Sequence, residues 1–239
     1  MKFLNSSIYP AIFNRKSTRS YSNDLIPEEA LDSLRKFLSE VIPLIPSEQI
    51  AFEIQTHKGN TMKISAYTKR EAVSFINLAF MLQQVDLYLQ TNGIGALWNA
   101  TIRAEEKQHE GLSYGICLVF GIAKGSPVRT DISQFHRKRL EEISNKPALP
   151  LIEAVRLAPS AQNRQPWYLS CKEGSIDIYC KHAGFIAKTF LKDLQWIDIG
   201  IAVCHAVLAL QHEGFLPDAV VKSNVPEMKG YTYGISLNY

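Results

Sequence analysis

The sequence predicts an α+β protein: two trimmed repeats, residues 1–145 and 146–239, each with a central, mostly antiparallel sheet and flanking helices, packed as a pseudo-dimer. Three observations predict it. YGICLVF at 114–120 returns as YGISLNY at 233–239, an offset of 119. Upstream, Asn77, Leu87, Leu89, Gln90 and Gly93 face Asp198, Leu208, Leu210, Gln211 and Gly214 at a constant offset of 121. Further up, Pro46, Ser47 and Gln49 face Pro159, Ser160 and Gln162 at 113. Order is kept while the offset drifts slowly, the mark of an internal duplication. Two copies are too few for a solenoid and suit a chain folded on a pseudo-two-fold axis.

The elements follow in order. A basic opening loop gives way to IPEEALDSLRKFLSEVI, where Pro27 suits a first helical turn and Glu28 and Glu29 favour its dipole. Leu31, Leu34, Leu38 and Val41 share one face, so this is an amphipathic helix. AFEIQT and MKISAYT joined by HKGN read as a hairpin, and a long helix over about 70–91 stops at Asn92-Gly93. SYGICLVFG is a buried strand. After the basic stretch HRKRLEEI, the second copy begins with ALPLIEAVRLA as helix, continues with WYLSCK and IDIYC as a hairpin around EGS, and adds a long helix over about 195–213 ending at Gly214. YTYGISLNY closes it as a strand. The second long helix is apolar nearly all round, so it must be covered on several sides and belongs between the copies. His205 within it reads as a packed core histidine, since no second ligand stands one turn away.

Composition narrows the function. The 239 residues, 46% hydrophobic, are ample for a core. A net charge of +3, with basic residues scattered among 23 acids, gives no nucleic-acid stripe. Cys117, Cys171, Cys180 and Cys204 lack CxxC spacing and read as buried free thiols of a reducing compartment. No continuous run reaches the ~18 apolar residues of a membrane span, and the first residues lack a leader's apolar stretch. The expectation is a cytoplasmic protein with neither a membrane nor a nucleic-acid partner.

Two segments carry candidate chemistry. NRKSTRSY at 14–21 gathers Arg15, Lys16, Ser17 and Arg19 in one short loop. It reads either as a solvated basic loop or as a phosphate cradle, because guanidinium forks, a hydroxyl and backbone amides together suit a dianion. APSAQNRQPW at 158–167 brackets Ser160, Gln162, Asn163 and Gln165 between prolines. It is either a capped loop leading into a strand or a binding turn, and the residues alone leave both open. A third cluster, Arg137, Lys138 and Arg139, is ordinarily the charged start of a helix.

Taken together these segments resemble the FMN-dependent nitroreductase family, in its single-chain, tandem-repeat branch, and the likeness covers most of the chain. The resemblance implies a nitroreductase-like fold. It also implies that an R-x-S-x-R motif (Arg15, Ser17 and Arg19, with Lys16 between) grips the FMN phosphate, and that Arg137 and Arg139 complete that grip. Pro159, Ser160, Ala161, Asn163 and Gln165 would pack against the flavin ring. GIGALWNATI resembles the family's G-L-G-x-x-W-x-G-G segment beside the flavin's reactive edge, with Asn99 and Ala100 where the family has glycines. A Cβ there limits close approach of the backbone, and Trp98 reads as a core residue. Family members are homodimers that build each site from two subunits. Here the A-P-S run stands in the other half of the chain from the phosphate motif, which fits a fused dimer keeping one site and needing only a monomer. The implied activity is hydride transfer from NAD(P)H through FMN to a nitroaromatic, quinone or similar small acceptor. The alternative is an FMN-binding protein without turnover, such as a sensor, a carrier or a decayed paralogue.

Overall fold

A computed structural model describes residues 1–102, 106–182 and 193–239. Helix α1 (Glu28–Glu40) buries Leu31, Leu34 and Phe37, one turn-position away from the predicted Leu38, which is only half-buried. Strands β1 (Ile50–Thr56) and β2 (Met62–Thr68) form the expected hairpin, and helix α2 (Ala72–Thr91) follows, its C-cap at Asn92. Strands β3 (Gly95–Asn99), β4 (Gln108–His109) and β5 (Leu112–Gly121) complete a first sheet in the order β1-β2-β5-β3, with β4 also on β5.

The second half runs through helix α3 (Pro150–Arg156), strands β6 (Trp167–Lys172) and β7 (Ser175–Lys181), helix α4 (Leu194–His212), and strands β8 (Asp218–Val220) and β9 (Tyr231–Asn238). Its sheet has the order β6-β7-β9-β8. All pairings in both sheets are antiparallel. Each sheet is bulged once, at matching places: between Ala66 and Tyr67 on β2 against β5, and between Ile178 and Tyr179 on β7 against β9. The extra residues are Gly115 and Gly234, the glycines of the two echoed strands. A Cβ added at Gly115 would lie 3.1 Å from Leu78, and one at Gly234 would lie 3.4 Å from Ile199. The strand echo therefore preserves a bulge that presses backbone onto a helix, a place where glycine packs without strain.

Helices α2 and α4 pack against each other, α2 on the first sheet and α4 on the second, within one continuous core. Both are long and apolar enough to cross a membrane by length and composition, yet 78% of each apolar window is buried inside the protein. They are core helices. They press together at Gly200, where an added Cβ would sit 2.8 Å from Ala79 Cβ and run into the Ile76 carbonyl oxygen. Ala79 and Gly200 are again 121 apart.

Sequence reading missed two kinds of element. The opening "loop" is a 3-10 helix over Ser6–Phe13, with Ile8, Ala11 and Ile12 buried. HRKRLEEI is mostly irregular, with a single short 3-10 turn at Leu140–Glu142. All four cysteines are buried free thiols.

Candidate functional site

The basic motif lies along β3 as an extended edge. Ser17 bridges Ala96 in parallel, Thr18 N–H donates to the Ala96 carbonyl at 2.9 Å, and Arg15 bridges Val128. The fit is tight, since a Cβ on Gly95 would meet the Thr18 side chain within 2.8 Å. The register divides the basic side chains between interior and surface. Arg15 is buried, its Nε 3.0 Å from the buried carboxylate of Asp86 and its NH2 donating to Ser17 Oγ at 3.3 Å. Lys16 and Arg19 stay exposed, Lys16 Nζ donating to the Ser126 carbonyl at 3.2 Å.

A residue that sequence reading did not select joins them. Arg129 donates through NH1 to the Arg15 carbonyl and through Nε to the Gln134 carbonyl at 3.2 Å, and its guanidinium stacks 4.2 Å from the Phe135 ring centroid. Burial, then the charges of Arg15 and Arg19, pull its pKa down. Arg137 is held lower still, to about 9, by burial and by Arg15, Arg129 and Arg156, and its Nε has no partner among the described residues. Arg15, Arg129 and Arg137 with Asp86 therefore leave a net positive, partly desolvated cluster, which an anion would relieve. Arg139 is not part of it. Its side chain is 82% exposed, beside Glu142.

The A-P-S loop is held in an uncommon backbone. Gln162, Asn163 and Gln165 have φ of 53°, 56° and 48°, in the left-handed region. Conformations of this kind cost roughly 1 kcal/mol or more each and cluster at ligand clamps. The loop is held by named bonds: Ala161 N–H donates to Asp198 Oδ1 at 2.8 Å, and Gln165 N–H to Ser160 Oγ at 2.9 Å. Asn163 Oδ1 accepts from Arg137 NH1 at 2.6 Å while its Nδ2 donates to the His136 carbonyl at 2.8 Å. Gln165 Oε1 accepts from Lys138 N–H at 2.8 Å. Asn163 and Gln165 thus anchor the loop to the basic stretch, and neither lines the cleft.

Between these segments lies a cleft of about 140 Å³. Ser17 and Arg19 line it with Leu97, Trp98 and Ala100 from the first half, and with Pro159, Ser160, Ala161, Gln162 and the start of α4 from the second. Its walls are apolar at Leu97, Ile116, Pro159, Ile197 and Ile201. Of the predicted residues, Ser17, Arg19, Ala100, Pro159, Ser160 and Ala161 meet here. Asn99 does not. Its Oδ1 caps a turn by accepting from Thr101 N–H (2.9 Å) and Ile102 N–H (3.0 Å), and it lines a separate, wider cleft of about 410 Å³ with Tyr21, His57 and Asn60. We assign the candidate site to the smaller cleft, because it joins the two motifs and has one charged wall and one apolar wall.

Trp98, read from sequence as core, lines the cleft and heads a buried chain of hydrogen bonds. Its Nε1 donates to Gln83 Oε1 at 3.2 Å, Gln83 Nε2 lies 3.2 Å from His205 Nε2, and His205 Nδ1 lies 2.8 Å from the Ala154 carbonyl. A carbonyl only accepts, so Nδ1 carries the proton and Nε2 accepts from the Gln83 amide. Burial holds His205 neutral, its pKa pushed down to about 3.

The cleft sets a basic segment opposite an apolar wall, in a fold of two antiparallel sheets with core helices. The family model described as Putative TM nitroreductase matches residues 7–210, and the chain belongs to that family. The fold is that of a putative nitroreductase from Thermotoga maritima, at TM-score 0.70 and 22% identity, covering 100% of this chain and 95% of that one. A nitroreductase with bound FMN from Desulfitobacterium hafniense is similar over 52% of this chain and 92% of its own, at TM-score 0.44 and 13% identity. A nitroreductase family protein from Clostridium difficile is similar over 59% and 96%, at TM-score 0.43 and 14% identity. Comparison with curated proteins finds no match.

Proposed function

We propose that the protein is an FMN-dependent oxidoreductase passing hydride from NAD(P)H to a nitroaromatic, quinone or similar small acceptor. The observation that carries it is the cleft, with the R-x-S-x-R segment on one wall and the strained A-P-S loop on the other. The residues fit FMN. Its phosphate suits Ser17, Arg19 and the exposed Lys16, backed by Arg129, and its flat ring suits the slot between Trp98, Leu97 and Pro159. Bound there, FMN would supply the redox chemistry, leaving the chain to bind, orient and exclude water.

The same reading makes the chain a fused pseudo-dimer with one site. It is supported by the strand order, which matches between the sheets apart from the added β4, by the matching bulges and by the helix contact at Ala79 and Gly200, since a two-fold interface brings equivalent residues together on its axis. A further echo supports it: Phe13-Asn14-Arg15-Lys16 and Phe135-His136-Arg137-Lys138 stand 122 apart, each ending or following a 3-10 helix. HRKR then reads as the second copy of the phosphate motif, and the second repeat starts before residue 135 instead of at 146. Only the second A-P-S loop keeps left-handed residues; its counterpart at 44–49 has none. One strained loop matches one site.

The visible spectrum of the purified protein, with and without NAD(P)H, tests the proposal. A flavin band bleached by NAD(P)H and restored by a quinone supports it. A flavin band that NAD(P)H leaves unchanged would favour binding without turnover.

A further inference from the structure

Asp198, on the first turns of α4, is the acidic group among the described residues that line the cleft, and it has no part in the reading above. It is 4% exposed, and its Oδ1 accepts from Ala161 N–H at 2.8 Å. Its Oδ2 has no hydrogen-bond partner among the described residues. The counterpart 121 residues earlier is Asn77, whose Oδ1 accepts from Leu44 N–H (2.8 Å) and Ile45 N–H (3.0 Å) at the worn copy of the same loop. A neutral amide therefore suffices to hold that loop. What the carboxyl adds is an acidic oxygen, and it is present in the half whose loop lines the cleft.

We propose that Asp198 is the proton donor of the cleft, protonating an oxygen of the electron acceptor. This rests on the reductase reading. When a quinone takes up a hydride from a dihydroflavin, it gains two electrons and one proton, and the flavin is oxidised. The second proton leaves Asp198 as its O–H bond breaks and an O–H bond forms on the acceptor. The product is the hydroquinone, and the Asp198 carboxylate recovers a proton from solvent. Among the described residues the charged groups facing Asp198 are few: Arg164 and Lys181 border the adjoining crevice, Arg19 stands across the cleft, and the Cys180 thiol on β7 is neutral, pushed up to about 12 mainly by burial. Burial outweighs Arg164 and the Ala161 N–H, raising the Asp198 pKa to about 7, so a proton is available near neutrality.

The test uses Asp198→Asn and Asp198→Glu in the FMN-loaded protein, with a quinone and with ferricyanide, which takes one electron and no proton. The ratio of quinone rate to ferricyanide rate should fall on the order of 100-fold in Asp198→Asn, and much of it should return in Asp198→Glu. A second readout needs neither flavin nor turnover. Infrared spectra of the apo-protein should show a protonated-carboxyl band at pH 6 that is lost by pH 9 and is absent from Asp198→Asn. An unchanged rate ratio in Asp198→Asn, or no such band in the wild type, overturns the proposal while leaving the reductase reading intact. A wild-type protein that reduces neither acceptor overturns the reductase reading, and this assignment falls with it.

Discussion

Arg15 and Arg19 stand four residues apart in one motif, and burial gives them different work. Arg15 neutralises Asp86 in the core, so Arg15→Ala strands a buried carboxylate and should cost about 3–5 kcal/mol. At roughly 2–4 °C per kcal/mol for a chain of this size, the melting temperature should drop by about 10 °C. Arg19 is exposed, so Arg19→Ala should melt like the wild type and bind FMN about ten- to a hundredfold more weakly, as titration of FMN fluorescence would show. Equal FMN affinity in that variant contradicts the phosphate assignment. Two buried groups set opposing pH dependences. His205 is neutral when folded with its pKa near 3, so the unfolded chain binds more protons below its ordinary pKa of 6.5, and stability falls as pH drops from there towards 3. Asp198 has its pKa raised from 3.8 to about 7, so the folded chain holds the extra proton. Its contribution is intact below about 4 and is lost as pH rises to about 7. Asp198→Asn removes the second effect. Its melting temperature relative to wild type should therefore climb between pH 4 and 7, by up to ~1.4 kcal/mol of stability per pH unit, and then level off. A difference independent of pH contradicts a protonated Asp198.

At the scale of elements, α2 and α4 cross in close contact at Gly200. Alanine is the better helix former by about 1 kcal/mol, but its methyl would meet the Ile76 carbonyl oxygen, which is backbone and cannot turn away. Overpacking of this kind costs ~1–3 kcal/mol or more, so Gly200→Ala should be net destabilising in urea unfolding, and a more stable variant would contradict the close crossing. Most elements were legible from the sequence because their signals are local: the 3.6-residue period of α1, the hairpins around HKGN and EGS, and the glycines that stop α2 and α4. The 3-10 helix at Ser6–Phe13 was not, since Pro10 and a run of mixed polarity imitate a loop, and its order comes from packing against α2 and α4. Strand β8, three residues long, had no pattern to read. At the site, the segments could be found in the sequence but the directions of their side chains could not. Asn163 and Gln165 turn towards Arg137 and Lys138, because left-handed backbone at these positions reverses the ordinary alternation. Gln162, Arg129 and Asp198 reach the cleft or its cradle only through tertiary packing.

At the scale of the molecule, the two halves are distinguished by what each contributes to one cleft: the extended basic edge from the first, the strained loop and the start of α4 from the second. On the proposed reading a fused dimer needs no partner chain to close that cleft, and divergence of its copies would account for a single complete set of motifs. Mixing Arg19→Ala with Asp198→Asn should accordingly give no recovery of quinone reduction beyond the sum of the two, since each molecule keeps one damaged half. Recovery on mixing would mean that the site is shared between chains. The most direct test of the account is the binding stoichiometry of FMN, measured by calorimetric titration of the apo-protein alongside its mass in solution. The account predicts one FMN per polypeptide, in a monomer as well as in any larger assembly; two FMN per chain, or binding only when chains associate, would contradict it.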